Sequence, residues 1–180
     1  MSMTSFSSNI PVILDIIAKV NPKSVLDIGS GFGKFGLLTR ELLLSIKAEK
    51  TGEIYPKDDL EIDSVEEADY FLERQAHKDI YNDVYPVNVL NLKGEFFNTY
   101  DLVLLIDVVE HWDKQKAIDW LNSINANILI STPKRVSYYK LKYYGSRKHE
   151  CQFTAQEFKD MGMVDNHSND RSFIYLKRKK

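Results

Sequence analysis

Residues 25 to 36 read Val-Leu-Asp-Ile-Gly-Ser-Gly-Phe-Gly-Lys-Phe-Gly, and no other stretch of this 180-residue chain limits its fold as tightly. Val25, Leu26 and Ile28 suit a short strand covered on both faces, the kind found inside parallel sheets. Gly29, Gly31 and Gly33 follow at once, where a backbone free of Cβ atoms can turn sharply and come close to a ligand. The order of buried strand, then glycine turn, predicts an α/β protein with a ligand at the carboxyl end of its first strand. Asp27 sets a carboxylate just ahead of the glycines, which suits a ligand carrying positive charge.

A literal G-x-G-x-x-G runs through Gly31, Gly33 and Gly36. A dinucleotide turn, however, begins directly after its strand and offers bare amides and a helix N-terminus to a pyrophosphate. The strand here ends at Ile28, too early for that register, and counting from Gly29 puts Lys34 where the third glycine or alanine belongs. Asp27 would also bring negative charge toward the phosphates. S-adenosyl-L-methionine (SAM) has no phosphate and carries an ammonium and a sulfonium, so the same acid favours it. At these residues the chain resembles the class I SAM-dependent methyltransferases, whose first motif is an acid followed by G-x-G-x-G, matched by Asp27, Gly29, Gly31 and Gly33. The resemblance implies SAM as cofactor, with Ser30 inside the binding turn, and methyl transfer as the activity. It also implies a Rossmann-like class I methyltransferase fold: a mostly parallel seven-stranded sheet in the order 3-2-1-4-5-7-6 with helices on both faces.

Length fits one domain over residues 1–180. Lys plus Arg number 24 against 26 Asp plus Glu, so the net charge of -2 gives no global sign of a nucleic-acid or membrane-surface binder. Cys151 is the only cysteine and can form no internal disulfide, which fits a reduced cytoplasm. The apolar stretch from Ile10 to Val20 is broken by Asp15 and Lys19, and the N-terminus lacks a basic region. Neither a signal peptide nor a membrane span is expected.

Hydrophobic spacing predicts a helix from Pro11 to Val20, stopped by Asn21-Pro22, and a crossover helix from Lys34 to about Ala48. Residues 49–59 read as an inserted loop, followed by strand two at Leu60 to Val65 and a helix from about Glu67 to Ala76. Tyr85 to Leu90 reads as strand three, and its Pro86 confines it to an edge. Leu102 to Ile106 has the continuous apolar character of a central strand. A helix from Lys114 to about Ile124 and strand five from Asn127 to Ser131 follow. The last third predicts a helix from Thr154 to about Met161, ended by Gly162, and strands at Met163 to His167 and Ser172 to Lys177.

Site residues belong at strand ends. The family carries an acid after strand two that holds the ribose hydroxyls, and Glu66 takes that place here, with Asp63 and Glu61 as competitors. Where the family often has an acid for the adenine amino group, this chain has Asn88, whose carbonyl can accept without charge. Val89 follows and could cover an adenine face. Asp107-Val-Val-Glu-His111 looks like the D-x-x-E-H motif of small-molecule methyltransferases. Asp107 then belongs near the methionine half of the cofactor, and His111 is the candidate catalytic base for an acceptor proton. A capping role for Asp113 with His111 packed on the helix start is the competing reading.

From Lys134 to His149 positive charge alternates with tyrosines, which suits either a surface for an anionic or aromatic small molecule or a plain solvated stretch. Stacking tyrosines beside basic residues also suit single-stranded RNA, the lesser alternative. Asp107-Val-Val-Glu matches neither the Pro-Pro-Tyr motif of nucleobase amino-methyltransferases nor the Pro-Cys of cytosine C5 enzymes. His111, His149 and Cys151 lack metal-site spacing, so no metal is expected. A catalytically inactive SAM-fold module that supports a partner is the third reading.

Overall fold

Strand β1 (Ser24–Ile28) lies inside a sheet whose seven strands run in the order β3-β2-β1-β4-β5-β7-β6. The computed structural model describes residues 5–54, 57–73, 75–135, 149–163 and 165–179. β1 pairs in parallel with β2 (Glu61–Val65) on one side and with β4 (Leu102–Ile106) on the other. β4 carries β5 (Ile128–Pro133) in parallel, and β5 carries β7 (Ser172–Lys177) antiparallel. Strand order therefore reverses between β1 and β4, which is where an open sheet of this kind presents its ligand crevice.

Alternation along the strands divides the core in two. Leu26, Val103, Leu105, Ile128 and Ile130 face a layer that holds Phe97, Trp120, Phe158 and Tyr175. Val25, Leu102, Leu104 and Leu129 face the opposite layer, formed by Ile13, Ile17, Phe35 and Leu43. Helices thus cover both faces: α1 (Ile10–Val20) and α2 (Lys34–Thr51) on one, α6 (Lys114–Ser123) and α7 (Ala155–Asp160) on the other. Every residue of β1 after Ser24 and every residue of β4 is buried, as two covered faces require.

Local chemistry sets the boundaries. Asn21 ends α1 in the left-handed conformation (φ 49°) and Gly52 ends α2 in the same way (φ 74°). The Asp113 side chain accepts from the Lys116 amide and caps α6, as the sequence suggested. Thr154 and Glu157 cap α7 reciprocally.

Three of the departures from expectation lie in the segment from α2 to Pro86. α2 continues to Thr51, into the segment read as a loop, because no breaker precedes Gly52. The single helix expected from about Glu67 to Ala76 is two short ones, α3 (Asp69–Leu72) and α4 (Gln75–Ile80). β3 is Val84–Tyr85 and stops before Pro86, which has no amide to give the ladder; it is an edge strand, but a shorter one. Downstream, α5 (Gly94–Phe97) leads into β4, and β6 (Asp165–Asn166) closes the far edge.

Candidate functional site at the carboxyl ends of β1, β2 and β4

The turn after β1 is built on backbone that only glycine adopts easily: φ is 65° at Gly29, 56° at Gly31 and 80° at Gly33. Ser30 lies between them, 9% exposed, with its hydroxyl 2.7 Å from that of Ser64 on β2. Beneath the turn, Asp27 is buried and accepts from the Tyr81 hydroxyl at 2.6 Å. Burial pushes its carboxyl up to about 7, against the hydrogen bonds from Tyr81 and the Gly36 amide and with the negative charge of Glu66. Asp27 is therefore an internal prop of the turn.

Glu66 follows the last residue of β2 and turns back toward β1. One carboxylate oxygen accepts from the Gly31 amide at 2.9 Å, the other from Ala68 at 3.0 Å. It stands at the glycine turn, the position that the family resemblance implies for it. Asp63 is committed to the interior instead, holding the Tyr100 hydroxyl at 2.6 Å and the Asp83 amide at 3.0 Å. Glu61 is exposed at the opposite end of β2. Asn88 and Val89 fall in a short 3-10 turn rather than on a strand end, and the Asn88 carbonyl oxygen caps that turn by accepting from the Leu90 amide at 2.9 Å. Val89 is buried in the core.

β4 ends in a strained residue. Asp107 has φ 56°, unusual for anything but glycine, and its amide donates to Ser131 at 2.7 Å. Burial raises its carboxyl to about 6, opposed by hydrogen bonds from Ser5 and Ser131 and by the charge of Lys34. Lys34 opens α2 and donates to the Ser5 carbonyl at 3.3 Å, which brings the N-terminal segment over this end of the sheet.

One turn further, Glu110 is 1% exposed, with one oxygen accepting from Thr132 at 2.9 Å and the other, Oε1, buried without a hydrogen-bond partner among the described residues. Burial and the neighbouring Asp107 push its carboxyl well above the usual range. The Glu110 carbonyl accepts from the amides of both Glu150 and Cys151, at 2.7 and 3.2 Å, and this pins the returning chain against the 3-10 turn that follows β4. His149 is carried with it. Its ring meets that of His111 edge to face at 4.8 Å, and its Nδ1 is buried and also lacks a partner among the described residues.

Glu110, His111 and His149 therefore each present one ligand atom, all within 4.8 Å of one another, a set that could hold a metal ion. The expectation of no metal rests on the linear spacing of His111, His149 and Cys151 and does not weigh this set: two adjacent residues and a distant third converge only because the chain folds back onto Glu110. His149 is the functional candidate that sequence reasoning missed in this role. The only available signal was a histidine at the end of the basic stretch. His111 packs on His149 rather than standing alone as a base. Cys151 stays outside the set, its thiol pushed up to about 11 by burial. Most of the tyrosine-rich stretch, residues 136–148, lies outside the described residues.

No protein-family model and no curated protein matches the chain. Among solved structures, the small RNA methyltransferase HEN1 aligns with 100% of this chain and 26% of its own at 16% identity, with a TM-score of 0.64. The chain thus spans about a quarter of that protein. Magnesium protoporphyrin IX methyltransferase (ChlM) from Synechocystis PCC 6803, solved with bound SAH, aligns with 94% of this chain and 81% of its own at 13% identity, TM-score 0.61. PH0226 from Pyrococcus horikoshii OT3 covers 96% of this chain and 88% of its own at 12% identity, TM-score 0.60. With these likenesses across its length, and the strand order 3-2-1-4-5-7-6, the chain has the fold of the class I SAM-dependent methyltransferases.

Proposed function

We propose that the chain is an enzyme that moves the methyl group of SAM to a hydroxyl oxygen of a small acceptor, activated at Glu110, His111 and His149. The observation that carries this reading is the pairing of two features on adjacent strand ends. One is a glycine turn edged by Glu66, and the other is a convergent carboxylate and imidazole pair beside Asp107.

Methyl transfer is an in-line displacement: the acceptor oxygen forms a bond to the methyl carbon as the carbon–sulfur bond breaks, leaving S-adenosylhomocysteine. The protein must place the oxygen, exclude water and receive the hydroxyl proton. Glu66 and the glycine turn, which leaves room for close approach, hold the nucleoside half, and Asp107 faces the methionine half. The adjacent imidazoles are within reach of the acceptor and take its proton.

The same three side chains fit a divalent cation. The unpartnered Oε1 of Glu110 and Nδ1 of His149 are buried donors to such an ion, and two imidazoles with one carboxylate suit a first-row transition metal better than calcium. A bound cation would supply a Lewis acid that acidifies the acceptor hydroxyl. Glu110 supplies its charge, and Thr132 orients the carboxylate.

Release of S-adenosylhomocysteine over a panel of hydroxylated acceptors tests the activity. Loss of turnover with a chelator, restored by manganese or zinc, supports the ligand set. Chelator-resistant turnover that His111→Ala abolishes assigns the proton to His111 alone.

An RNA acceptor is the second reading, favoured by the likeness to the small RNA methyltransferase structure and by the basic, tyrosine-rich sequence from Lys134 to His149. Binding to RNA oligonucleotides that weakens steeply with salt would favour it over a small molecule.

A further inference from the structure

α4 and the residue after it press on the glycine turn from below. His77 is 1% exposed, and its Nε2–H donates to the Gly31 carbonyl at 2.6 Å, while Glu66 accepts from the amide of the same residue at 2.9 Å. Ile80 lies where a Cβ on Gly33 would come within 2.7 Å of its Cδ1, and the ring of Tyr81 occupies the space that a side chain on Gly36 would need. Tyr81 reaches past Gly36 to donate its hydroxyl to Asp27 at 2.6 Å, and its ring meets His77 edge to face at 5.4 Å. α4 and Tyr81 together thus touch the turn at Gly31 and Gly33 and its flanks at Asp27 and Gly36.

We propose that His77 and Tyr81 are positioning residues for the cofactor, holding the glycine turn in its binding shape, and that the Tyr81–Asp27 hydrogen bond couples capture of the cationic cofactor to release of a proton from Asp27. This rests on the SAM reading above. The titratable groups facing Asp27 are the Tyr81 phenol and the Glu66 carboxylate. Burial together with the nearby Asp27 keeps the phenol protonated, so it remains a donor. The carboxyl of Asp27, pushed up by burial, holds its proton near neutral pH until positive charge arrives at the turn. Binding then expels that proton to solvent. Tyr81 favours the ionised form, and removing its hydroxyl makes that ionisation harder.

Calorimetric titration of SAM in buffers of different ionisation enthalpy, from pH 5.5 to 8.5, reads both affinity and protons released. For the full chain we expect close to one proton released at pH 6 and affinity that rises with pH. Tyr81→Phe, which keeps the ring, is expected to move that rise upward by about one pH unit and to weaken binding at pH 7 about three- to tenfold. His77→Ala is expected to weaken binding about tenfold, and His77→Gln, which restores an N–H donor toward Gly31, to stay within about threefold of the parent. A merely structural pair would move none of the pH profile. A Tyr81→Phe curve that superimposes on the parent, or a His77→Ala chain that binds as tightly as the parent, overturns the proposal while the SAM reading stands. A parent chain that does not bind SAM overturns that reading itself.

Discussion

The two carboxylates that follow β2 and β4 are treated differently by the fold. Glu66, at the glycine turn, has both oxygens engaged by backbone amides, and Asp27 beneath it is held by Tyr81. Glu110, near the end of β4, has one oxygen on Thr132 and the other buried without a partner among the described residues, beside a histidine nitrogen in the same condition. Buried polar atoms are nearly always paired in folded proteins, so two unpaired ligand atoms side by side call for an explanation. On the proposed reading, the glycine turn and its acid serve the cofactor, while Glu110 and His149 serve an ion or an acceptor; the contrast lies in the acids, since His77 Nδ1 under the glycine turn is unpartnered as well.

The contrast fails most visibly if changes in one region are felt in the other. Glu110→Ala should lower turnover about a hundredfold or more, since acid–base and metal assistance are usually worth that much, while SAM affinity stays within about threefold. Equal losses of turnover and affinity, read by steady-state kinetics beside calorimetry, would dissolve the distinction. Glu66→Ala should do the reverse, weakening SAM about ten- to a hundredfold through loss of hydrogen bonds to a charged acceptor. Turnover at saturating SAM should then stay close to the parent value.

A third test uses pH. In the folded state the Asp27 carboxyl titrates at about 7 rather than 3.8, so the fold favours its protonated form. Its contribution to stability is fully present below the unfolded value and is lost as pH rises through about 7. Asp107, raised to about 6, acts in the same direction. The melting temperature of the cofactor-free protein should therefore fall between pH 5 and 8, and less steeply in Asp27→Asn. A variant with the parent slope would remove Asp27 from the account.

The smallest effect is expected at Asn88, because its carbonyl oxygen already caps the Val89–Asn91 turn. Asn88→Ala should change SAM affinity by less than about threefold. A larger loss would return it to the adenine contact that the sequence suggested.

What could be read from the sequence follows how local each signal is. The strand and glycines at 25–36 sit in one window, and buried runs such as Leu102–Ile106 announce central strands covered on both faces, whereas the sheet order comes only with the family resemblance that the glycine motif carries. Pro86 correctly marked an edge, though it ended the strand rather than residing in it. The break between α3 and α4 has no comparably strong sequence mark. Neither the Tyr81 prop nor the approach of His149 to His111 could be read, because each depends on a tertiary return: α4 folding under the glycine turn, and residues 149–151 docking on the Glu110 carbonyl. Asp27 was legible as an acid but not as a buried one, so the sequence suggested a plain anion where the fold holds a carboxyl poised near neutral pH.

The account stands on the glycine turn and its two acids selecting a positively charged, phosphate-free adenosine compound. Calorimetric titration of the full chain with SAM and, in parallel, with NAD measures that selection. The account predicts saturable binding of SAM, weakened in Glu66→Ala, and no binding of NAD. Binding of NAD with none of SAM would contradict it.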